Sequence, residues 1–408
     1  TDILMMQRPT KMRFRLDPVL IFMVAALLLA QGCAGPVRQA AVPPAMTEQA
    51  VIPGLEEVRY RIGIDNEAIE RETLASLRRE LAYRDASGQR GPLPPVAFLA
   101  ISGGGDNGAF GTGLLNGWTA AGDRPEFRLV TGISTGALIA PFAFLGSGYD
   151  DRLKRLYTNV TPADIVTPRS LLAALTNDAL ADNAPLWRLL EKEVDQALLD
   201  AIAREYEKGR LLLVGTVDLD ARQAVLWNLT RIAASRDPQA LPLFRAIMIA
   251  SAAIPGAFPP VLIDVEVQGQ TYQEMHVDGG TMSQVFVYPP KLNLRELSRQ
   301  HGISRERRVY VIRNARLDPE WAEVERRTMS IAGRAISSLI HTQGLGDLYR
   351  IYLTTQRDGV DFNLAYVPAS FNAPHPEEFD PDFMRALYQT GYEMAVKGFP
   401  WEKRPPGF

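Results

Sequence analysis

One serine of the chain stands where an enzyme nucleophile could stand. Ser134 is the centre of Gly132-Ile133-Ser134-Thr135-Gly136, a Gly-x-Ser-x-Gly sequence between two apolar stretches. Residues 127–130 before it have the character of a buried strand, and residues 137–145 after it that of a helix. A serine on such a strand-to-helix turn needs glycine two positions away on each side, because larger side chains would clash there. The pattern therefore predicts a nucleophile elbow, with the N-terminal end of the next helix near the hydroxyl.

A glycine-rich loop follows an earlier apolar run at residues 96–101, which is typical of a strand buried on both faces of a parallel sheet. Gly103, Gly105 and Gly108 have the Gly-x-Gly-x-x-Gly spacing of a dinucleotide site. However, the next strand does not end in the acidic residue that would bind the ribose, and the lysine of a P-loop is missing. The remaining interpretation is a loop whose backbone N–H groups face a developing negative charge, which is an oxyanion hole.

A serine nucleophile also needs a base within hydrogen-bonding reach. The four histidines are His276, His301, His341 and His375, and the last three lie in a polar turn, a helix end and a proline-rich loop, where structural roles are expected. His276 shares a strand face with Asp278, so its participation stays open. The sequence has no His-Glu-x-x-His, cysteine pair or calcium loop, so neither a metal nor a cofactor is predicted.

Segments typical of strands and helices alternate from about residue 95 onward, which predicts an α/β fold with a mostly parallel central sheet. We predict a main domain over residues 95–400, preceded by a flexible tether and a strand-and-helix extension over residues 34–94. Residues 150–209 are mostly helical and interrupt the alternation. They could form a lid over the site or pack as part of the outer layer.

The first 33 residues are predicted to be a signal peptide. Three basic residues precede an apolar run at residues 19–30, which is too short to span a bilayer but suits a signal sequence. The run ends at Cys33, the one cysteine of the chain, and this end resembles a bacterial lipoprotein box. That resemblance implies lipidation of Cys33 and, with Ala34 after it, an outer-membrane lipoprotein facing the periplasm. An ordinary secretory signal is the alternative. The net charge of −3 gives no indication of nucleic-acid binding.

Four blocks, in order, resemble the patatin-like phospholipase family over roughly residues 95 to 320. They are the glycine loop at 103–108, the elbow at Ser134, residues 250–260, and Asp278-Gly279-Gly280. The resemblance implies a three-layer α/β/α fold with Ser134 as nucleophile and Asp278 as catalytic acid. It also implies oxyanion donors on the backbone of Gly103, Gly104 and Gly105. The family usually carries arginine or lysine where this chain has Asn107, which leaves the preference for phospholipids open.

The resemblance implies a serine lipid acyl hydrolase, close to a phospholipase A or a lysophospholipase, whose substrate is a lipid ester. Water would release the acyl group, so no cofactor is required. A thioesterase or acyltransferase on the same site is an alternative of the same chemistry, and a catalytically silent lipid-binding lipoprotein is an alternative of a different class. The sequence does not indicate the head group, the acyl-chain length or the oligomeric state.

Overall fold

The structure is a computed structural model that describes residues 37–170 and 177–408. The predicted signal peptide, with Cys33 at its end, lies outside the described residues. Within the described part of the chain, none of the helices is both long enough and apolar enough to cross a membrane.

The strands and helices of the described residues follow the alternation that the sequence predicts from residue 95 onward. The strands are β1 (Arg59–Arg61), β2 (Val96–Ile101), β3 (Phe127–Gly132), β4 (Thr167–Pro168), β5 (Ala181–Asp182), β6 (Leu211–Asp218), β7 (Gln223–Asn228), β8 (Val261–Val267), β9 (Gln270–Asp278), β10 (Arg307–Arg313) and β11 (Asp361–Tyr366). The α-helices are α1 (Asn66–Ala86), α2 (Gly108–Ala121), α3 (Thr135–Leu145), α4 (Asp150–Thr158), α5 (Pro162–Ile165), α6 (Ala184–Glu193), α7 (Gln196–Glu207), α8 (Leu229–Ser235), α9 (Ala240–Ser251), α10 (Leu294–Gln300), α11 (Thr328–Asp358) and α12 (Pro381–Val396).

The centre of the main sheet is parallel. β6, β3, β2, β10 and β11 lie side by side in that order, and each pair of neighbours runs parallel. β7, β1 and the β8–β9 hairpin add antiparallel strands on the β6 side. The mostly parallel central sheet predicted from the sequence is confirmed, and the carboxyl ends of β2 and β3 lie together at one edge.

Helices cover both faces of this sheet, which gives the three-layer α/β/α arrangement. Leu99 and Ile101 of β2 point into a core shared with α2, α3 and α12. The alternate residues Phe98 and Ala100 point into a second core shared with α1, α10 and α11. Because successive side chains of a strand face opposite ways, one apolar run serves both cores.

The hairpin of β8 and β9 positions the predicted catalytic acid. Its turn is Gln268-Gly269, and both residues have positive φ (51° and 78°), as a two-residue type I′ turn requires. The last residues of β9 pair with β6, and Asp278 lies opposite Thr216. The hairpin therefore delivers Asp278 to the same edge of the sheet as the end of β3.

The segment before β1 differs from the flexible tether that its composition predicts. The Arg38 guanidinium pairs with Asp220 at 2.7 Å, and the Gln273 N–H donates to the Ala40 carbonyl oxygen at 3.0 Å. Val42 and Ile52 are buried. From Arg38 onward the chain is thus packed against the β8–β9 hairpin, because its few apolar residues find a surface there.

Candidate active site

Ser134 lies on a strained turn between β3 and α3. Its φ of 56° and ψ of −127° place a non-glycine residue in a region that side chains disfavour. A Cβ on Gly132 would come within 2.4 Å of the Gly136 carbonyl oxygen, and one on Gly136 within 2.2 Å of the Ile101 carbonyl oxygen. Both flanking glycines are required for the close packing that the Gly-x-Ser-x-Gly pattern predicts.

Ser251, at the end of α9, holds this turn in place. The backbone N–H of Ser134 donates to the Ser251 hydroxyl at 3.0 Å, and that hydroxyl donates to the Gly215 carbonyl oxygen on β6 at 2.7 Å. Ser251 is fully buried. It lies inside the block at residues 250–260 that carried the family resemblance, but the spacing alone did not indicate its role.

The structure brings Asp278 to Ser134, as the sequence predicted. The Ser134 hydroxyl is near enough to the Asp278 carboxylate to lower its pKa, and the Gly280 N–H donates to Oδ1 of Asp278 at 2.7 Å. A Cβ on Gly280 would lie 2.9 Å from that oxygen, and one on Gly279 would lie 2.6 Å from the Gly215 carbonyl oxygen. The two glycines after Asp278 therefore leave room for its carboxylate and for the packing of the turn on β6.

Asp278 is buried, and no cation is among the groups that shift its titration. Burial raises its pKa from 3.8 to about 7, against the opposing effects of the Ser134 hydroxyl and the Gly280 N–H. A carboxylate with such a pKa is half ionised near neutral pH and accepts a proton more readily than an exposed aspartate. Its protonation state is thus suited to the removal of a proton from the serine.

The glycine loop lies directly beside the serine. A Cβ on Gly103 would lie 3.2 Å from the Ser134 Cβ. Gly104 and Gly105 have positive φ (155° and 58°), and within the described residues neither of their N–H groups donates a hydrogen bond. The Gly103 N–H already donates to the Gln284 carbonyl oxygen at 3.0 Å. Of the three predicted oxyanion donors, Gly104 and Gly105 have N–H groups free to act in this conformation.

Polar residues at the ends of neighbouring strands fix the loop. The Asn314 side chain donates to the Ser102 carbonyl oxygen at 3.0 Å and accepts from the Gly111 N–H at 3.1 Å. A Cβ on Gly104 would lie 2.1 Å from the Asn314 carbonyl oxygen, so only glycine fits. Asn314 was not singled out in the sequence. The available signal was its place, directly after a buried strand in a parallel sheet, where sites form.

Gln284 connects the glycine loop with the turn after Asp278. It accepts from Gly103 through its backbone, and its side-chain Nε2 donates to the Gly280 carbonyl oxygen at 2.8 Å. Gly108 begins α2, where a Cβ would come within 2.3 Å of the Thr135 hydroxyl oxygen. The supporting glycines thus let the loop, the elbow and the Asp278 turn pack together without intervening side chains.

An apolar pocket opens at Ser134. Its walls include side chains from α4, from the segment after it and from α6, all inside the helical stretch at residues 150–209. The residues that line it are Gly105, Ser134, Thr135, Leu138, Leu156, Tyr157, Val160, Ile165, Leu186, Leu189, Leu190, Ala252, Ile254, Phe258, Phe379 and Met384. None of them is charged. The helical stretch therefore walls the pocket, and its opening as a lid stays a prediction.

Both ring nitrogens of His276 are hydrogen-bonded to residues other than Ser134. Its Nδ1 accepts from the Thr216 hydroxyl at 2.9 Å, and its Nε2 donates to the Glu274 carboxylate at 3.0 Å. The ring is fully buried. Thr216 and Glu274 thus occupy both nitrogens, which leaves Asp278 as the candidate base for Ser134.

A second cluster lies next to the glycine loop. The ligand atoms of Asp106, His375 and Glu378 lie within 4.8 Å of one another, close enough to hold a metal ion. Here the buried Asp106 carboxylate accepts from His375 at 2.7 Å and from the Phe379 N–H at 2.8 Å. These bonds join the loop before α12 to the glycine loop, so His375 has a structural contact that its proline-rich surroundings did not predict.

Asn107 occupies the position where the resemblance led us to look for a basic residue. Its N–H donates to the Gly104 carbonyl oxygen at 3.1 Å, which helps to close the loop. No arginine or lysine lines the pocket at Ser134. The pocket at Ser134 therefore presents neutral hydrogen-bond donors and apolar side chains.

Comparison with known proteins agrees with this geometry. The family model described as patatin-like phospholipase matches residues 99–290, slightly under half of the chain, and this span contains the glycine loop, the elbow and Asp278. The match supports a lipid acyl hydrolase as the general class of activity. A comparison with curated proteins gave no match.

Among solved structures, VipD from Legionella pneumophila is similar at 12% identity with a TM-score of 0.35. The similarity covers 74% of this chain and 66% of that one, so the chain spans slightly less than two thirds of the length of VipD. Residues 99–290, with their elbow, glycine loop and Asp-Gly-Gly turn, are thus the part of the chain that is similar to the patatin-like phospholipase family.

Proposed function

We propose that the protein is a serine lipid acyl hydrolase, of the phospholipase A or lysophospholipase kind, that works with a Ser134–Asp278 dyad. The observation that carries the proposal is the proximity of the Ser134 hydroxyl to a buried Asp278 whose pKa lies at about 7. Ser134 lines an apolar pocket, which suits the acyl chain of a lipid ester.

The reaction follows from the positions of these groups. Asp278 takes the hydroxyl proton as Ser134 Oγ attacks the ester carbonyl carbon, and the carbonyl oxygen becomes an oxyanion beside the N–H groups of Gly104 and Gly105. The tetrahedral intermediate expels the alcohol, which takes the proton from Asp278 and leaves an acyl group on Ser134. Water then attacks the acyl-enzyme and gives a proton to Asp278. The second tetrahedral intermediate breaks its bond to Ser134 Oγ, which takes the proton back from Asp278 as the fatty acid leaves. No cofactor takes part in these steps.

Replacement of the nucleophile tests the proposal. Ser134→Ala should abolish hydrolysis of phospholipid, lysophospholipid and simple acyl esters, and should also abolish labelling by a fluorophosphonate probe. Ser147→Ala is the matched control, because Ser147 is exposed in the turn after α3. Wild-type protein that neither takes the label nor hydrolyses any ester of the panel would contradict the proposal and favour a silent lipid-binding protein.

We also propose that the protein is an outer-membrane lipoprotein facing the periplasm, attached through Cys33. The support is the apolar run that ends at the one cysteine of the sequence. Several acyl groups on one cysteine would hold the protein firmly, whereas one chain binds a membrane only marginally. Cys33→Ser should move the protein from the membrane to the soluble envelope fraction. Unchanged fractionation of the variant would contradict the anchor.

A further inference from the structure

The first half of α11 carries an apolar face that no other part of the described chain covers. From Ser330 to Gln343 no residue is buried, and Gly344 is the first buried residue after this stretch. Apolar side chains recur at helical spacing along one half of its surface, and they are Ile331, Ala332, Ala335, Ile336, Leu339 and Ile340. Leu339 is 70% exposed. The other half of the surface consists of Ser330, Gly333, Arg334, Ser337, Ser338 and His341. This part of the helix is therefore amphipathic, with its apolar half in solvent.

This half of the helix extends past the edge of the sheet at which β2 and β3 end. A Cβ on Gly344 would lie 2.4 Å from the guanidinium of Arg313, the last residue of β10. After the helix, β11 begins at Asp361 beside Arg308, close to the start of β10. The helix thus runs antiparallel to the central strands. Its residues from Thr328 to Gly344 continue beyond the edge of the sheet for about 24 Å, at about 1.5 Å per residue.

The start of the described chain lies at the same edge of the sheet, on the other side of the site. Arg38 pairs at 2.7 Å with Asp220, which lies two residues past the end of β6, and β6 runs parallel to β3. The strand order is β6, β3, β2 and β10. The strands that lead to Ser134 and to the glycine loop therefore lie between the strand next to Arg38 and the strand next to α11. A flat surface that touched both of these parts would lie in front of Ser134.

The exposed half of α11 and the residues just before it carry positive charge. Residues 326–346 contain no aspartate or glutamate, and they contain the basic residues Arg326, Arg327 and Arg334. Arg327 pairs with Glu325 at 3.3 Å, and both side chains of this pair are exposed to water. An apolar helix face with arginines beside it matches the surface of a bilayer that contains anionic phospholipid.

An exposed tryptophan lies next to this half of the helix. Trp321 is 87% exposed. The Arg334 guanidinium donates to the Glu320 carbonyl oxygen, which holds the residue before Trp321 against the helix. Indole rings favour the boundary between water and lipid, because a large apolar ring there keeps its N–H donor in contact with water. The position of Trp321 beside a basic and apolar helix thus agrees with contact between this surface and a bilayer.

We propose that residues 330–343 of α11, together with Trp321, lie on the surface of a bilayer that contains anionic phospholipid, with the apolar half of the helix in the lipid. A symmetric contact with a second copy would bring the same surface of both chains together, and the arginines of the two helices would repel each other. Anionic lipid instead attracts them. The choice of a bilayer also rests on the proposed function, since this contact places Ser134 against a lipid substrate.

A fluorophore that reports its own surroundings tests the proposal on the full chain. The chain carries Cys33→Ser and Ser134→Ala, which remove the one native thiol and any hydrolysis of the vesicles. Leu339→Cys is labelled with the dye NBD and mixed with vesicles of phosphatidylethanolamine and phosphatidylglycerol. Its emission should shift to the blue and rise several-fold, because the dye leaves water. The readout is local, so binding of the vesicle by the apolar run at residues 19–30 does not produce it.

Leu353→Cys is the matched control. Leu353 belongs to the same helix and is 55% exposed, but it lies in the half of α11 that packs along the sheet. The same dye at this position should keep the emission that it has in water.

Loss of apolar surface should weaken the contact. Ile336→Glu, added to the chain labelled at Leu339→Cys, should lower the ratio of inserted to exposed dye by at least about 10-fold, the scale for one large apolar side chain. Leu353→Glu should change this ratio by less than about twofold. Vesicles of phosphatidylcholine alone should give a smaller emission change, since the arginines lose their anionic partner. Circular dichroism identifies any variant that fails to fold.

The proposal is overturned if the dye at Leu339→Cys keeps its emission in water when vesicles are added, or if folded Ile336→Glu protein inserts as well as its parent. A dimer without lipid that Ile336→Glu dissociates, measured by light scattering after size-exclusion chromatography, would also overturn it in favour of a second copy. Hydrolysis of a soluble monomeric ester by wild-type protein is measured separately. Insertion without hydrolysis would contradict the proposed function, and hydrolysis without insertion would contradict this proposal.

Discussion

The strand β9 carries two buried carboxylates four residues apart, and their protonation differs. Burial would raise the pKa of Glu274, but the hydrogen bond from His276 and the Arg59 guanidinium bring it down to about 2. Burial raises the pKa of Asp278 to about 7, because no cation opposes it. The same strand therefore holds a permanent anion at one place and a group that can exchange a proton at the other.

The difference lies in the partners, since both side chains are almost fully buried. Glu274 accepts from Arg59 at 3.1 Å and from His276, whose other nitrogen is tied to Thr216 and, through it, to Trp227. Asp278 meets only a serine hydroxyl and a glycine N–H. Asp278 can act as a base near neutral pH because no positively charged group lies beside it to lower its pKa.

The largest effect should follow from the loss of the proton acceptor. Asp278→Asn keeps the shape of the side chain but cannot take the Ser134 proton, so kcat/KM should fall by about 10²–10⁴. Glu274→Gln is the matched control on the same strand and should stay within about threefold of wild type. Equal loss in both variants, with both folded, would mean that the two carboxylates do not differ in role. The measurement is ester hydrolysis at pH 8.

The pKa of Asp278 also predicts a pH dependence. A protonated carboxyl group cannot accept a proton, so wild-type kcat/KM should fall tenfold for each pH unit below about 7, or about 100-fold at pH 5. A profile that stays flat from pH 8 to pH 5 would show that Asp278 titrates like an exposed aspartate. The measurement uses a substrate that does not itself titrate in this range.

The same shift affects stability. Because the folded protein binds the Asp278 proton more tightly than the unfolded chain, this stabilisation is complete below about pH 4. It is lost as the pH rises through 7. The shift from 3.8 to about 7 corresponds to about 4 kcal/mol at most. The free energy of unfolding of Asp278→Asn should therefore fall less than that of wild type between pH 5 and pH 8. Denaturant titrations at both pH values measure the difference.

Glu274 should matter for stability rather than for rate. Glu274→Gln leaves the partly buried Arg59 without its counter-charge, and loss of one partner of a buried ion pair costs about 3–5 kcal/mol, which is an upper bound here. The melting temperature at pH 7 measures this loss. A variant as stable as wild type would indicate that water reaches Arg59 and that the pair is not part of the core.

The smallest effect on rate should come from His276. His276→Gln loses the bonds to Thr216 and Glu274 but leaves Asp278 and Ser134 in contact, so kcat should stay within about threefold of wild type. A folded His276→Gln protein that is as inactive as Ser134→Ala would replace the dyad with a triad. Steady-state kinetics at pH 8 decide between the two.

The sequence predicts the edge of the sheet that carries Ser134 and Asp278 better than it predicts the packing of α1 on one face of the sheet. The elbow and the β8–β9 hairpin depend on local patterns, glycine at fixed spacing and a two-residue turn, and both are visible along the chain. By contrast, the periodicity predicts a helix with Ile69, Leu74, Leu77 and Leu81 on its buried face. Ile69 is buried as predicted, but the other buried residues of α1 are Glu72, Ser76 and Glu80, and Leu81 is 47% exposed. Arginines from other parts of the chain neutralise the two glutamates, and no local sequence pattern indicates these ion pairs.

The supports of the site were also missed for a physical reason. Ser251, Asn314 and Gln284 act through hydrogen bonds to the backbone of segments far away in sequence. A single polar residue at the end of a buried helix or strand has many possible roles. Only the packing of the loop, the elbow and the Asp-Gly-Gly turn distinguishes them.

The chain from Arg38 onward packs on the β8–β9 hairpin, and this packing limits the length of the segment between Cys33 and the folded domain. Residues 34–37 are the part of the chain between Cys33 and the ion pair of Arg38 with Asp220. Even fully extended, this segment spans at most about 18 Å, which is much less than a flexible tether of residues 34–54 would span. With Cys33 lipidated, the enzyme would stay at the surface of its own leaflet, with the β8–β9 hairpin turned toward the lipid. It would then take its substrate from the membrane that carries it.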